Sequence, residues 1–376
     1  MKKFYLLIPV VILITIYFVS CSNSPVTSQK APTSFYEGYN DDESAACMTL
    51  ASLAYVNENN PVYMRDSLIV QLSNSNYETG GNWKLEWGPA LTPDKANMLY
   101  VVKDTLKNPD MYAIAIRGTD WCFLTNIKED ILVYSMVPYT YSGNVNDSIS
   151  EGASLGLSKI LSLLDPLSHK TFLQYLTAIK RPIPSGKHDL FITGHSLGGA
   201  LATVLTSWML DNGMGHVFNI KSYTFAAPTV GNKGYVEHFN SIVNSAGAES
   251  HRVVNPRDII PRFISEIDTI LLKQYPTLLP LSIETAFFAM YSYFTYEGIY
   301  YHHVGEVRYL GQAIPGNCPS GSPSFDQYSC WVGFEHDHNT YLRLLNAPET
   351  NFYYAPCEME QPDTTGLSSF IKTHRK

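Results

Sequence analysis

Residues 190–210 tie a strand directly to a helix. Leu190-Phe191-Ile192-Thr193 is a short apolar run. Gly194-His195-Ser196-Leu197-Gly198 follows without a gap, and Ala200–Leu210 then reads as a long apolar helix with small residues at its start. A strand that feeds a helix through so short a turn needs small residues on both sides of it, because the helix crosses the strand at close range. A strand apolar on consecutive positions is buried on both faces, which predicts a parallel sheet sandwiched by helices. The serine at its centre sits where a strained turn exposes a side chain at the end of the sheet, with the positive end of the helix dipole beside it.

The rest of the chain agrees. Asp41-Asp42-Glu43 reads as the acidic first turn of a helix continuing through Ala54. Trp83–Trp87, Met98–Val102 and Met111–Ile116 read as strands. Residues 150–180 have a helical pattern, with Ser150 as N-cap and a break at Pro166. Asp211-Asn212-Gly213 closes the helix after Ser196. Ile220–Phe225, Arg252–Val254 and Glu306–Leu310 read as further strands. This alternation predicts an α/β fold with a mostly parallel central sheet flanked by helices. There is no internal repeat.

Of the 376 residues only 16% are charged, against about 25% in an average soluble chain. The net charge is −8 and no basic run occurs, which argues against nucleic acid as a partner. Residues 271–310 hold 7 of the 26 tyrosines. At the N-terminus, Lys2 and Lys3 precede an apolar stretch, Phe4–Val19, that is shorter than the roughly 20 residues a membrane span needs. It ends in Val19-Ser20-Cys21, which resembles the lipobox of bacterial lipoprotein signals. The expectation is a signal over residues 1–20, lipidation at Cys21, and a flexible tether over 21–35 rich in Ser, Thr and Pro. A single domain then fills 36–376. The other cysteines, Cys47, Cys122, Cys318, Cys330 and Cys357, form no CxxC pair, so no metal site is expected. Cys318 and Cys330 flank a Pro/Gly/Ser-rich segment and are candidates for a disulfide.

A nucleophilic serine needs a base, and the base needs an orienting acid. Asp258 lies in Val254-Asn255-Pro256-Arg257-Asp258, just past a strand, where α/β folds build their sites. For the base, spacing leaves His336 and His338 open. Both stand in Glu335-His336-Asp337-His338-Asn339-Thr340-Tyr341. His302 and His303 precede a strand and read as scaffold.

Taken together these blocks resemble the class 3 lipases, a fungal-lipase-like branch of the α/β-hydrolases. Ala115-Ile116-Arg117-Gly118-Thr119 looks like that family's oxyanion strand, and Asn126–Asp130 like the segment after it. Gly194–Gly199 resembles the elbow, and Ala227-Pro228-Thr229-Val230-Gly231-Asn232 the block after the next strand. Val254–Pro261 resembles the acid loop, Tyr301–Gly305 the lead into a late strand, and His338-Asn339-Thr340-Tyr341 the family's His-x-x-Tyr. The resemblance implies Ser196 as nucleophile, Asp258 as orienting acid and His338 as base. It also implies an oxyanion hole from the backbone N–H groups of Thr119 and Leu197. Two features depart from the family: Ser150-Glu151-Gly152 stands where His-x-Gly is usual, and residues 262–301 form an aromatic insertion between acid and base.

The function implied is carboxylic ester hydrolysis without a cofactor, with acylglycerols as substrate. Phospholipase A1 or feruloyl-type esterase activity is the alternative, and a catalytically dead binding protein on the same scaffold a more distant one. The partners implied are a lipid or other ester substrate and a membrane reached through the N-terminal anchor. The location implied is outside the cytoplasm, on the periplasmic or cell-surface side. The insertion reads either as an extra helical hairpin or as a cap over the site. Tyr134–Tyr141 reads as a short lid. Oligomeric state, acyl-chain length and head group are left open.

Overall fold

The computed structural model describes residues 38–56, 61–119, 132–180, 186–262, 264–265, 281–311 and 325–351. The signal and tether segments, Cys21, Cys122, Cys318 and Cys357 lie outside them. Cys330 is disulfide-bonded.

In chain order the elements are α1 (Asp41–Leu53), α2 (Pro61–Leu72), β1 (Trp83–Leu91), β2 (Met98–Asp104) and β3 (Met111–Ile116). Then come β4 (Met136–Pro138), β5 (Ser148–Ser150), α3 (Glu151–Ser162), α4 (Phe172–Ile179), β6 (His188–His195) and α5 (Leu197–Asp211). The remainder is β7 (Phe218–Phe225), α6 (Lys233–Ala246), β8 (Glu249–Val254), α7 (Leu281–Glu297), β9 (Glu306–Tyr309), α8 (Phe325–His336) and α9 (His338–Leu344).

Seven strands form one sheet in the order β1-β2-β3-β6-β7-β8-β9. β1, β2 and β3 pair antiparallel, and every pairing from β3 to β9 is parallel. This is the mostly parallel α/β sheet that the strand–helix alternation predicts, and the α/β-hydrolase architecture that the family resemblance implies.

Period-2 alternation divides the sheet's side chains between two cores. Leu99, Val101, Ile114, Ile116, Leu190 and Ile192 face one side, where α3, α4, α5 and α6 cover them with Leu157, Phe172, Leu201, Leu205 and Phe239. Met98, Tyr100, Val102, Ala113, Ala115 and Phe191 face the other, against Met48 and Leu50 of α1, Leu68 of α2 and Leu342 of α9. All the strand residues named here are 7% exposed or less. Each large aliphatic side chain so buried contributes about 1.5–3 kcal/mol relative to exposure. β3 and β6 are apolar at consecutive positions because both of their faces are covered.

Local signals account for the helix ends. Asn40 caps α1 and Ser150 caps α3, each accepting from a backbone N–H three residues on. The helical pattern over 150–180 divides around Pro166 into α3 and α4, and Thr171 starts α4 with a capping box. α5 ends at Asp211, and Gly213 takes a left-handed φ of 72°.

The segment read as a short lid, Tyr134–Tyr141, is held at two places in this structure. β4 pairs with β5, and the Tyr139 hydroxyl donates to Asp211 Oδ2 at 2.8 Å at the far end of α5.

Most of the described part of the insertion, 281–301, is α7 and its exit. Phe287, Met290 and Phe294 lie on one face of α7 and are buried with Tyr301, Ile259, Tyr328, Trp331 and Val332. Tyr293 and Phe294 pack on Tyr134, with ring centroids 5.4 and 5.6 Å apart. The opposite face carries Leu281, Phe288 and Tyr296, and these are exposed, as is Tyr291 on the flank. α7 is therefore neither a wholly buried hairpin helix nor detached from the domain. It is a half-buried helix laid across the loop after Asp258 and the helix that ends at His336.

Candidate active site

β6 ends at His195 and α5 begins at Leu197, so Ser196 alone makes the turn. Its φ of 59° and ψ of −130° lie in a region that residues with a Cβ rarely occupy. Such a conformation costs about 1–3 kcal/mol and persists only where its surroundings enforce it. Here the enforcement is visible. The Ser196 N–H donates to Phe225 O at 2.9 Å, and the Ser196 carbonyl accepts from the N–H groups of Gly199 and Ala200 at 2.9 and 3.2 Å. A Cβ on Gly194 would collide with the Gly198 carbonyl, and one on Gly198 with the Ile116 carbonyl. The glycines are therefore demanded by the approach of α5 to β6 and β3.

Ser196 Oγ lies 2.8 Å from His336 Nε2, and His336 Nδ1 lies 2.8 Å from Asp258 Oδ2. The carboxylate can only accept, so Nδ1 carries the proton and Nε2 is left to receive one from the serine. Asp258 is wholly buried, His336 is 2% exposed and Ser196 6%. Both carboxylate oxygens are occupied. Oδ1 accepts from Ile260 N–H at 2.9 Å, and Oδ2 accepts from the Tyr341 hydroxyl at 2.9 Å as well as from His336. The Tyr341 oxygen in turn accepts from Asn255 N–H at 3.1 Å.

The sequence expectation of His338 as base is corrected: the structure brings His336 to Ser196. His338 Nδ1 instead meets Ser52 Oγ at 2.8 Å, and its ring stacks on Tyr55 at 5.0 Å, with 17° between the planes. Asp337 separates the two histidines. With φ −64° and ψ 136° it leaves the helical region, and its carboxylate accepts from the Asn339 and Thr340 N–H groups. It therefore ends α8 at His336 and caps α9, and the turn between them sends the two imidazoles to different neighbours. His302 and His303 stay away from the serine. His302 N–H donates to Gly231 O, and Ser265 and Arg252 hold the His303 ring, whose pKa falls to about 3 through burial and the nearby guanidinium.

Beyond β3, Gly118 packs against the elbow and leaves Thr119 half-buried beside it. Leu197 is the first residue of α5, where a helical N–H has no intrahelical acceptor. Those are the two positions read from the sequence as the oxyanion hole. Glu335, next to His336, was not singled out by sequence reasoning. It is fully buried, accepts from Asn255 Nδ2 at 2.7 Å and lies 4.0 Å from Arg257. Burial, reinforced by Asp258, raises its carboxyl to about 7. Among the described residues, no group of three His, Cys, Asp or Glu is placed to hold a metal ion.

Fold and site together define an α/β-hydrolase with a Ser–His–Asp hydrogen-bonded chain. Over part of its length the chain is similar to lipases and to a phospholipase A1. A family model described as lipase (class 3) matches residues 113–267, which include Ser196 and Asp258 and stop short of His336. A triacylglycerol lipase of Arabidopsis thaliana is 29% identical over 204 residues, 48% of this chain and 39% of that protein. A phospholipase A1 of Oryza sativa subsp. indica is 29% identical over 175 residues, 43% of this chain and 41% of that protein. The chain spans only about two fifths of the length of these curated relatives. Among solved structures, the lipase M37 superposes with a TM-score of 0.63 at 23% identity, covering 79% of this chain and 90% of that one. At that identity the likeness speaks for the fold.

Proposed function

We propose that this chain is a serine carboxylic ester hydrolase that cleaves acyl esters of lipids through an acyl-enzyme on Ser196. The observation that carries the reading is the unbroken chain from Ser196 through His336 to Asp258, on a strained turn at the N-terminus of α5.

In the first half-reaction, His336 Nε2 takes the Ser196 proton as Oγ attacks the ester carbonyl carbon. The backbone N–H groups of Leu197 and Thr119 receive the oxyanion, and one such donor is typically worth about 2.7–4 kcal/mol in the transition state. Asp258 holds the ring and balances the imidazolium. As the tetrahedral intermediate collapses, the C–O bond to the alcohol breaks and His336 passes its proton to the departing alkoxide. Water repeats the sequence on the acyl-enzyme, releasing the fatty acid and restoring Ser196.

Both a triacylglycerol lipase and a phospholipase A1 stand among the relatives, so acylglycerols and glycerophospholipids are the substrate classes of this reading. The exposed aromatic face of α7 suits contact with a lipid phase, because Tyr and Phe side chains favour the boundary between apolar and wet environments. The reading includes export as a lipoprotein anchored through Cys21. No helix among the described residues is long and apolar enough to cross a membrane.

The test is direct. Ser196→Ala should abolish turnover of p-nitrophenyl esters and labelling by a fluorophosphonate, and the intact enzyme should gain one acyl mass on Ser196. Full turnover by the alanine variant would sink the mechanism. Mass spectrometry of protein from a bacterial host tests the anchor: a diacylglycerol adduct on Cys21 supports it, and an uncleaved N-terminus refutes it.

A further inference from the structure

His195 lies between Gly194 and the nucleophile, yet its side chain turns away from the substrate side. Its ring is fully buried. Nε2 stands 2.8 Å from the His336 carbonyl oxygen, and Nδ1 stands 2.8 Å from the Tyr55 hydroxyl. A carbonyl only accepts, so Nε2 must carry the ring proton. Burial, together with the nearby His336 and His338, holds His195 well below the ordinary histidine range, so the ring is neutral and Nδ1 is bare. The Tyr55 hydroxyl must then donate to it. The direction of every hydrogen bond in this chain is fixed by its last member.

That last member matters because of where it sits. His336 is the final residue of α8, and the carbonyls of a final helical turn have no intrahelical donor. His195 supplies the donor. The same carbonyl belongs to the residue whose imidazole faces Ser196. Tyr55 also bears on the other side of the site. Its hydroxyl packs so closely on Gly118 that a Cβ there would collide with it, and Gly118 precedes Thr119. Its ring stacks on His338.

We infer that Tyr55 is a positioning residue for the proposed ester hydrolysis: its hydroxyl, donating to Nδ1, holds the His195 ring in place, and His195 thereby anchors the backbone of the base His336 against the nucleophile turn. This rests on the reading of His336 as base. Without the hydroxyl, His195 has no donor for Nδ1. The ring, no longer held at Nδ1, can then turn and draw its Nε2–H away from the His336 carbonyl. That carbonyl is left without its donor, and the base shifts from Ser196.

The experiment uses the full chain and a soluble short-chain p-nitrophenyl ester, with thermal unfolding measured on every variant. Tyr55→Phe should lower kcat about ten- to a hundred-fold with KM changed less than about three-fold, because misplacement by an ångström costs on that order. His195→Leu should lose at least as much. His195→Gln, whose amide can donate to the same carbonyl, should recover most of the His195→Leu loss. Ser52→Ala, which removes the neighbouring contact to His338, serves as a control for lowered Tm and should keep its kcat. Unchanged kcat in Tyr55→Phe overturns the inference. So does a kcat loss in Ser52→Ala equal to that of Tyr55→Phe, or a His195→Gln no better than His195→Leu. Ser196→Ala in the same assay separates the failures, since turnover surviving that change would refute the hydrolytic reading itself.

Discussion

Tyr341 donates its hydroxyl to Asp258 Oδ2 at 2.9 Å, the same oxygen that receives His336 Nδ1 at 2.8 Å. The acid is thus held from two sides, by the base and by α9. Removing the hydroxyl leaves the buried Asn255 N–H without its acceptor. Tyr341→Phe should therefore cost about 1–3 kcal/mol of stability, read as a lower denaturant midpoint. It should also reduce kcat more than it raises KM. An unchanged midpoint would show that the hydroxyl is not needed.

The two histidines separated by Asp337 should respond in opposite ways. His336→Ala removes the proton acceptor of Ser196 and should cut kcat by about 10⁴–10⁶-fold while the fold survives. His338→Ala breaks the contact with Ser52 and the stack on Tyr55, so it should lower Tm and leave most of the turnover. Steady-state kinetics beside a melting curve tell the two apart. The reverse pattern would restore His338 as base.

Glu335 gives the stability a pH dependence. Burial raises its carboxyl from 4.5 to about 7, against the opposing pull of Asn255, Arg257 and Arg343 and with the push of Asp258. The fold therefore favours the protonated acid. The stabilisation is complete below about pH 4.5 and is lost as pH rises to about 7, amounting to roughly 3 kcal/mol over that window. Glu335→Gln stays neutral throughout. Its Tm relative to the parent chain should climb between pH 4.5 and 7 and level off above. A difference that stays flat across the window would remove Glu335 as the cause.

The outward face of α7 should matter only when the substrate forms its own phase. Phe288→Ser with Tyr296→Ser changes residues 62% and 85% exposed, which costs the fold little. Binding to phosphatidylcholine vesicles and turnover of long-chain emulsions should fall several-fold. Hydrolysis of a dissolved short-chain ester should not change. Equal losses on both substrates would mean that the face serves the fold or the site directly.

The strand, turn and helix around Ser196 were legible because sterics leave so few ways to connect a buried strand to a helix in one residue. Asp258 was legible for a related reason, since it follows the last apolar residues of β8. The base was not. His336 and His338 stand in one short polar segment, and the His-x-x-Tyr likeness favours the second. What decides is Asp337, whose side chain caps α9 and so ends α8 one residue earlier. Read as an N-cap, it would have separated the two imidazoles in advance. α6 was overlooked although Asn232 caps it and Tyr235, Phe239 and Val243 recur along one face. The contacts of Tyr55, Glu335 and Tyr341 had no local signal, because each depends on packing between segments 80 or more residues apart.

The length of chain between Ser196 and His336 has a temporal consequence. A chain emerging from its N-terminus presents the nucleophile turn and Asp258 before α8, whose last residue, His336, lies 140 residues beyond the serine. Until that helix docks, the serine has no partner to take its proton. Hydrolytic competence therefore requires α8 to dock, so the gain of activity during refolding should report the moment when that helix joins the domain.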